Sequence, residues 1–217
     1  AYKTINASTL SSLVLAALGL PAVKHGSYGN TSAVGSTETI EVFGARINMT
    51  SEAEVRDIMQ RSGYCFFDAH LCKTIHDLSH LLMMETVNHV IGPMTPPISS
   101  KTQVHKLMWV NEKIHPETIA RAYALLHQRK FRCVGGVVVV SGLDSSGFDL
   151  KSPEDFAAVK QHAVLDEVSP FVSVVSMSFE EKFLGTALLR PEDFGITVDP
   201  ERVLIPNDSS AIKQANV

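Results

Sequence analysis

The chain has 217 residues, 45% of them hydrophobic and 19% charged, which is enough for one domain or a domain and a half around a substantial core. Its formal net charge of −4 gives no basic excess to draw nucleic acid in by its phosphates. No stretch reaches the roughly 20 apolar residues that a membrane-spanning helix needs. The apolar run from Leu10 to Leu20 is broken by Ser11, Ser12 and Gly19 and lacks a basic leader, so it is not read as a signal peptide. The cysteines Cys65, Cys72 and Cys133 form no CxxC pair and suit neither a zinc knuckle nor a redox motif. Reduced, mostly buried thiols are expected, and with them a cytoplasmic or other reducing compartment. The first residue is Ala1, and the chain is expected to be a piece of a longer protein.

In chain order, Asn6-Ala7-Ser8-Thr9 is a loop feeding a helix from about Thr9 to Leu18, with Ser8 as its N-cap and Gly19 and Pro21 as its stop. Pro21 to Lys24 is a short strand, and His25 to Ser36 is a polar, glycine-rich loop. Ser36 caps a helix over Thr37 to Phe43 that Gly44 ends. Ser51 and Glu54 have capping-box spacing for a helix to about Arg61, followed by a strand over Gly63 to Phe67. Helical material from about Thr74 to Ile91 should stop at Gly92-Pro93, leaving Pro93 to Ser100 as loop. Val104 to Val110 is strand-like, and Pro116 suits the first position of a helix to about Lys130. The β-branched run Val137 to Val140 marks Cys133 to Ser141 as a strand buried on both faces. Gly142 to Asp149 is the loop at its end, Ser152-Pro153 starts a further helix, and Phe171 to Phe179 is β-rich. Alternating helices and strands predict an α/β fold with a mostly parallel central sheet flanked by helices.

Three loops carry candidate chemistry, each at a strand end or a helix start, where ligands bind in open α/β sheets. At Asn6-Ala7-Ser8-Thr9, free amides and hydroxyls at a helix start suit a phosphate, although ordinary capping explains them as well. From Lys24 to Ser36, an ammonium at a strand end meets Gly26, Gly29 and Gly35, which let backbone come close to a ligand. His25 in this loop is either catalytic or structural. At Ser141 to Gly147, Asp144 either holds Mg²⁺ near a phosphate or closes a turn on its own backbone.

Taken together these loops resemble the anthranilate phosphoribosyltransferase family. Its Asn-Ile-Ser-Thr, Lys-His-Gly-Asn-Arg and Gly-Ser-Ala-Asp motifs are matched by Asn6-Ala7-Ser8-Thr9, Lys24-His25-Gly26-Ser27-Tyr28 and Gly35-Ser36-Thr37-Glu38. Gly92-Pro93, Gly142-Leu143-Asp144 and Pro191-Glu192-Asp193-Phe194-Gly195 resemble later motifs, so the match spans nearly the whole chain. The resemblance implies a transferase of tryptophan biosynthesis that moves a phosphoribosyl group from phosphoribosyl diphosphate to a small acceptor, with Mg²⁺ as cofactor. It implies that Asn6, Ser8, Thr9, Lys24, Gly26 and Ser36 bind the donor and that Ser8 and Asp144 lie near the metal. It places His25, Ser27, Tyr28 and Ser79 on the acceptor side.

Departures from the pattern are equally specific. Residues 1–217 are expected to form a partial α/β domain without the family's small N-terminal helical domain or its first glycine-rich loop. That helical domain usually makes the homodimer, so a dimer is expected of the longer protein. Ser145 stands where the family's metal-site glutamate is, and Ser27, Tyr28 and Ser79 stand where it has an asparagine and two arginines. Losing the guanidinium that faces the anthranilate carboxylate removes a bidentate contact. The acceptor is therefore anthranilate, with contacts supplied by residues such as His76, His80 or His89, or another small molecule. Two alternatives are a catalytically inactive relative that binds nucleic acid, which the acidic balance opposes, and a nucleoside phosphorylase-like enzyme.

Overall fold

The computed structural model describes residues 2–3, 6–29, 34–49, 51–69, 88–99, 101–144, 148, 150–203 and 205–206. They belong to two compact units, one comprising Ile5–Pro97 with Asp208–Val217, the other Ala1–Thr4 with Ile98–Asn207.

In the unit containing Ile5–Pro97, helix α1 (Ala7–Ala17) leads into strand β2 (Ala22–Gly26), and α2 (Ser36–Val42) and α3 (Glu52–Ser62) precede β3 (Tyr64–Asp68). Strands β2 and β3 pair in parallel, from Ala22 opposite Tyr64 to Gly26 opposite Asp68. Helix α1 packs on β2 and α3 on β3. Ile40, Ile47 and Phe66 form the buried core, with Leu13, Tyr28 and Tyr64 packed against it. Ser51 is the N-cap of α3, its hydroxyl accepting from the Glu54 N–H, while the Glu54 carboxylate pairs with Arg46 at 3.1 Å.

Several boundaries differ from expectation. Strand β2 runs on through His25 and Gly26, which were expected in the loop. The residue that precedes α2 is Gly35, not Ser36. Helix α1 begins at Ala7, and its N-cap is Asn6, not Ser8. Asparagine caps as well as serine does, so the earlier residue of the pair takes the role and Ser8 falls in the first turn. Helix α4 (Asn88–Met94) continues through Gly92-Pro93. Pro93 forfeits one helical hydrogen bond, yet Thr95 N–H still reaches Ile91 O at 3.0 Å and Gly92 O at 3.1 Å and closes the last turn. The rest of the predicted helix from Thr74, with Ser79, His76 and His80, lies outside the described residues, as does the side chain of His89.

In the unit containing Ile98–Asn207, β4 (Val104–Trp109), β5 (Val134–Gly142), β6 (Ser173–Phe179) and β7 (Lys182–Leu189) form one sheet in the order β4-β5-β6-β7. Strands β4 and β5 are parallel and are joined through helix α5 (Pro116–Gln128). Strands β6 and β7 add on antiparallel, as a hairpin. A two-stranded antiparallel pair, β1 (Tyr2–Lys3) with β8 (Ile205–Pro206), belongs to the same unit. Helix α5 packs on β5, β6 and β7. Its buried stripe, Pro116, Ile119, Ala120, Tyr123, Ala124 and His127, follows the i, i+3, i+4, i+7 spacing of one helix face. Val137, Val139 and Val140 of β5 are buried as their β-branched run requires. Strand β7 had no counterpart among the predicted elements. The helix expected after Ser152-Pro153 is a single 3₁₀ turn, Pro153–Asp155, followed by one α-helical turn, Phe156–Val159.

Cys65 and Cys133 are free and buried, and burial pushes the Cys65 thiol above its ordinary pKa. Among the described residues no helix is long and apolar enough to cross a membrane.

His115 caps α5: its Nδ1 accepts from the Glu117 N–H at 3.1 Å. Burial holds its pKa below the ordinary histidine value. The unfolded chain therefore takes up a proton first, and the stabilisation is present at neutral pH and lost as pH falls below about 6.5. His115→Asn, which keeps a capping acceptor without titrating, is expected to unfold with less pH dependence between pH 7 and 5 than the wild type. His115→Ala should cost about 1 kcal/mol at pH 7. Urea unfolding followed by circular dichroism at each pH checks both.

Candidate functional site

Lys24 lies on β2 two residues before its end, and Ser36 is the first residue of α2. The Lys24 Nζ donates to Ser36 Oγ at 3.2 Å and to the His25 carbonyl at 2.8 Å. The close approach depends on Gly26, because a Cβ there would sit 2.5 Å from Ser36 Cβ and 2.7 Å from its Oγ. An ammonium and a hydroxyl are thus held side by side where β2 meets α2, an arrangement suited to an anion.

The loop between them is closed from within. Gly35, the residue before α2, is extended and packed so tightly that a Cβ would collide with Ser27 O and lie 2.5 Å from Gly29 N. The Glu38 carboxylate accepts from Gly29 N–H at 3.0 Å and from Gly35 N–H at 2.8 Å. Thr37 N–H donates to Ser27 O at 3.2 Å. Two amides of a loop that looked ready for phosphate, and one in the first turn of α2, are therefore already bonded. The α2 side of the site offers the side chains of Lys24 and Ser36 instead, and Ser36 opens the helix without capping it.

At the start of α1, Asn6 Oδ1 accepts from both Ser8 Oγ and Thr9 N–H, each at 3.3 Å. Thr9 is fully buried, and its hydroxyl has no hydrogen-bond partner among the described residues. On the acceptor side, Ser27 Oγ donates to the Tyr28 carbonyl at 3.0 Å. The Tyr28 hydroxyl donates to Glu41 Oε1 at 2.9 Å. That bond first, then burial and the nearby charges of Glu41, Asp68 and Glu38, raise its pKa above the ordinary phenol value.

Sequence reasoning passed over Thr37, Glu38 and Asp68 as working parts. Asp68, the last residue of β3, is buried at 6% exposure and accepts from Thr37 Oγ1 at 2.5 Å. The signal was present: an apolar strand, Tyr64 to Phe67, ends in a carboxylate.

In the other unit, Asp144 stands two residues beyond Gly142, the end of β5. Its N–H donates to the His162 carbonyl at 3.0 Å. Its carboxylate lies 3.7 Å from His162 Nδ1, with the Asp144 side chain 15% exposed. The His162 ring packs on Phe148 at 4.5 Å between centroids. Leu143, Leu150, Phe156, Ala163, Val172 and Val174 form the buried cluster around this strand end. Among the described residues no three His, Cys, Asp or Glu side chains gather as a metal cage. Ser145 and Asp149 lie outside the described residues.

Residues 1–149 match the model of the glycosyl transferase family, a/b domain. The chain belongs to this family. An anthranilate phosphoribosyltransferase of Methanosarcina acetivorans is 35% identical over 128 residues, covering 57% of this chain and 34% of the relative. One from Listeria monocytogenes is 29% identical over 211 residues, 95% of this chain and 54% of the relative. Two solved structures share the fold. Anthranilate phosphoribosyltransferase from Thermus thermophilus superposes with a TM-score of 0.63 at 22% identity, over 98% of this chain and 56% of that one. The Saccharomyces cerevisiae enzyme, in complex with PRPP and Mg, has a TM-score of 0.66 at 21% identity, over 98% of this chain and 52% of that one. The chain thus spans about a third to a little over half of the relatives' length.

Gly26→Ala is expected to force Ser36 away from Lys24 and to lower stability by about 1–3 kcal/mol, the cost of overpacking a close contact. Glu38→Ala should cost a similar amount, about 1–3 kcal/mol, by leaving part-buried amides of Gly29 and Gly35 unpaired. Thermal unfolding of each variant measures the cost.

Proposed function

We propose that the chain is part of a phosphoribosyltransferase, transferring a phosphoribosyl group from phosphoribosyl diphosphate to a small acceptor. The observation that carries this reading is the Lys24–Ser36 pair seated on Gly26 at the end of β2. Family membership and the named relatives support it.

Chemically, the leaving diphosphate gains negative charge as its bond to the ribose carbon breaks. A group already in place that interacts more strongly with that charge than with the intact donor lowers the barrier. Lys24 supplies an ammonium whose orientation is set by Ser36 and the His25 carbonyl. Asn6, Ser8 and Thr9, at the start of α1, are proposed as further donor contacts.

Mg²⁺ fits the hard oxygen donor of Asp144, and when bound it would neutralise phosphate charge. Mg²⁺ keeps several waters and takes one or two carboxylates together with substrate phosphates, so a single partly exposed carboxylate suits it. On the acceptor side His25, Ser27 and Tyr28 are proposed, with Ser79. No arginine stands among these four, so a small acceptor that does not depend on a guanidinium clamp suits them better than anthranilate. The longer protein is proposed to be a homodimer of a reducing compartment, in line with the buried free thiols of Cys65 and Cys133.

Calorimetric titration of phosphoribosyl diphosphate with Mg²⁺ is expected to show binding that Lys24→Ala weakens by about 2 kcal/mol, the worth of a charge-assisted hydrogen bond, or roughly 30-fold in Kd. Absence of binding at millimolar donor, together with salt-sensitive binding of single-stranded DNA, would turn the assignment to a non-catalytic nucleic-acid-binding relative.

A further inference from the structure

We propose that Asp68 is a positioning residue that holds Ser36 against Lys24 by way of Thr37. The inference rests on the donor-binding role of Lys24 and Ser36 given above.

A carboxylate buried to 6% exposure is costly unless it is bonded, and it is bonded here to Thr37, which is itself fully buried. Thr37 is anchored twice. Its hydroxyl donates to Asp68 at the end of β3, and its N–H donates to Ser27 O just past the end of β2. Gly26 and Asp68 are register partners across the two strands. Ser36 rests on Gly26, while the next residue, Thr37, is tied to the strand position beside it. The place of the Ser36 hydroxyl therefore depends on two things: the missing Cβ of Gly26 and the bond between Thr37 and Asp68. Without the second, the first turn of α2 loses its tether to β3, and Ser36 can swing away from the ammonium.

The sign of the effect separates this role from simple proximity. A negative charge near an anion site opposes binding, so if Asp68 acts only through its charge, removing it tightens binding of the donor. If Asp68 acts by holding Thr37, removing it weakens binding despite the gain in potential. Asp68→Asn keeps an acceptor for the Thr37 hydroxyl and deletes the charge. It should bind phosphoribosyl diphosphate with Mg²⁺ about two- to threefold more tightly than the wild type, a modest Coulomb gain at high effective dielectric. Asp68→Ala should bind roughly tenfold more weakly, the equivalent of one buried hydrogen bond. Thr37→Val should weaken binding to a similar degree, and the double variant should lose less than the sum of the two single losses, since both remove the bond between Thr37 and Asp68.

The measurement is calorimetric titration of the full chain, with melting curves to confirm that each variant is folded. If Asp68→Ala does not fold, Thr37→Val against Asp68→Asn carries the comparison. Asp68→Ala or Thr37→Val binding as tightly as the wild type, while Lys24→Ala loses affinity, overturns the positioning role and leaves the donor site standing. Equal lack of binding by the wild type and Lys24→Ala overturns the donor site itself, and the role of Asp68 falls with it.

Discussion

The proposed donor site depends on a lysine ammonium held in one place, and the restraint is a contact that no side chain could occupy. Ser36 packs over Gly26, its Cβ 2.5 Å from where a Gly26 Cβ would stand, and its hydroxyl accepts a hydrogen bond from the Lys24 ammonium. The His25 carbonyl accepts another. A flexible lysine stem carries on the order of 2 kcal/mol of rotamer entropy, so holding its head before a ligand arrives removes part of the cost of binding. The rest of the smaller sheet serves this contact. The pairing of β2 with β3 brings Gly26 beside Asp68, and α2 is tied to both strand ends through Thr37.

Glu38 gives the loop its second constraint. Its carboxylate spans the amides of Gly29 and Gly35 and so folds the chain back on itself. Buried or partly buried amides must find acceptors, and a carboxylate three residues into a helix is well placed to accept from the residue that precedes it. The consequence for function is a division of labour. Among the described loop residues, the Gly29 and Gly35 amides are held by Glu38, while Lys24 and Ser36 at the two ends are the side chains proposed to meet the donor.

The unit with the four-stranded sheet uses a different device at its strand end. Gly142 N–H and C=O exchange hydrogen bonds with Leu165, and Ser169 Oγ donates to Leu143 O. The chain after Phe156 thus crosses the end of β5, where its Ala163, Val172 and Val174 pack with Leu143, Leu150 and Phe156. Asp144 emerges from this packed end with its backbone held by His162 and its carboxylate toward that histidine ring.

From the amino-acid sequence alone, the elements with strong local signals could be placed: the helix that Ser51 caps, Pro116 at the head of α5, and the β-branched run Val137 to Val140. Lys24, Gly26 and Ser36 could be named as a group because they lie at a strand–loop–helix junction and their motifs resemble the family's, and the structure brings Lys24 and Ser36 into contact over Gly26. Other features depend on partners far along the chain. Whether a loop amide faces a ligand or Glu38 depends on three-dimensional closure. That Asp68 meets Thr37, 31 residues earlier, follows from the parallel pairing of β2 with β3. Strand β7 exists because β6 offers it an edge to pair with, and its own sequence, interrupted by Gly185, carries a weak β signal. Local chemistry is written within a few residues, whereas hydrogen-bond satisfaction and strand pairing are settled only when distant segments meet.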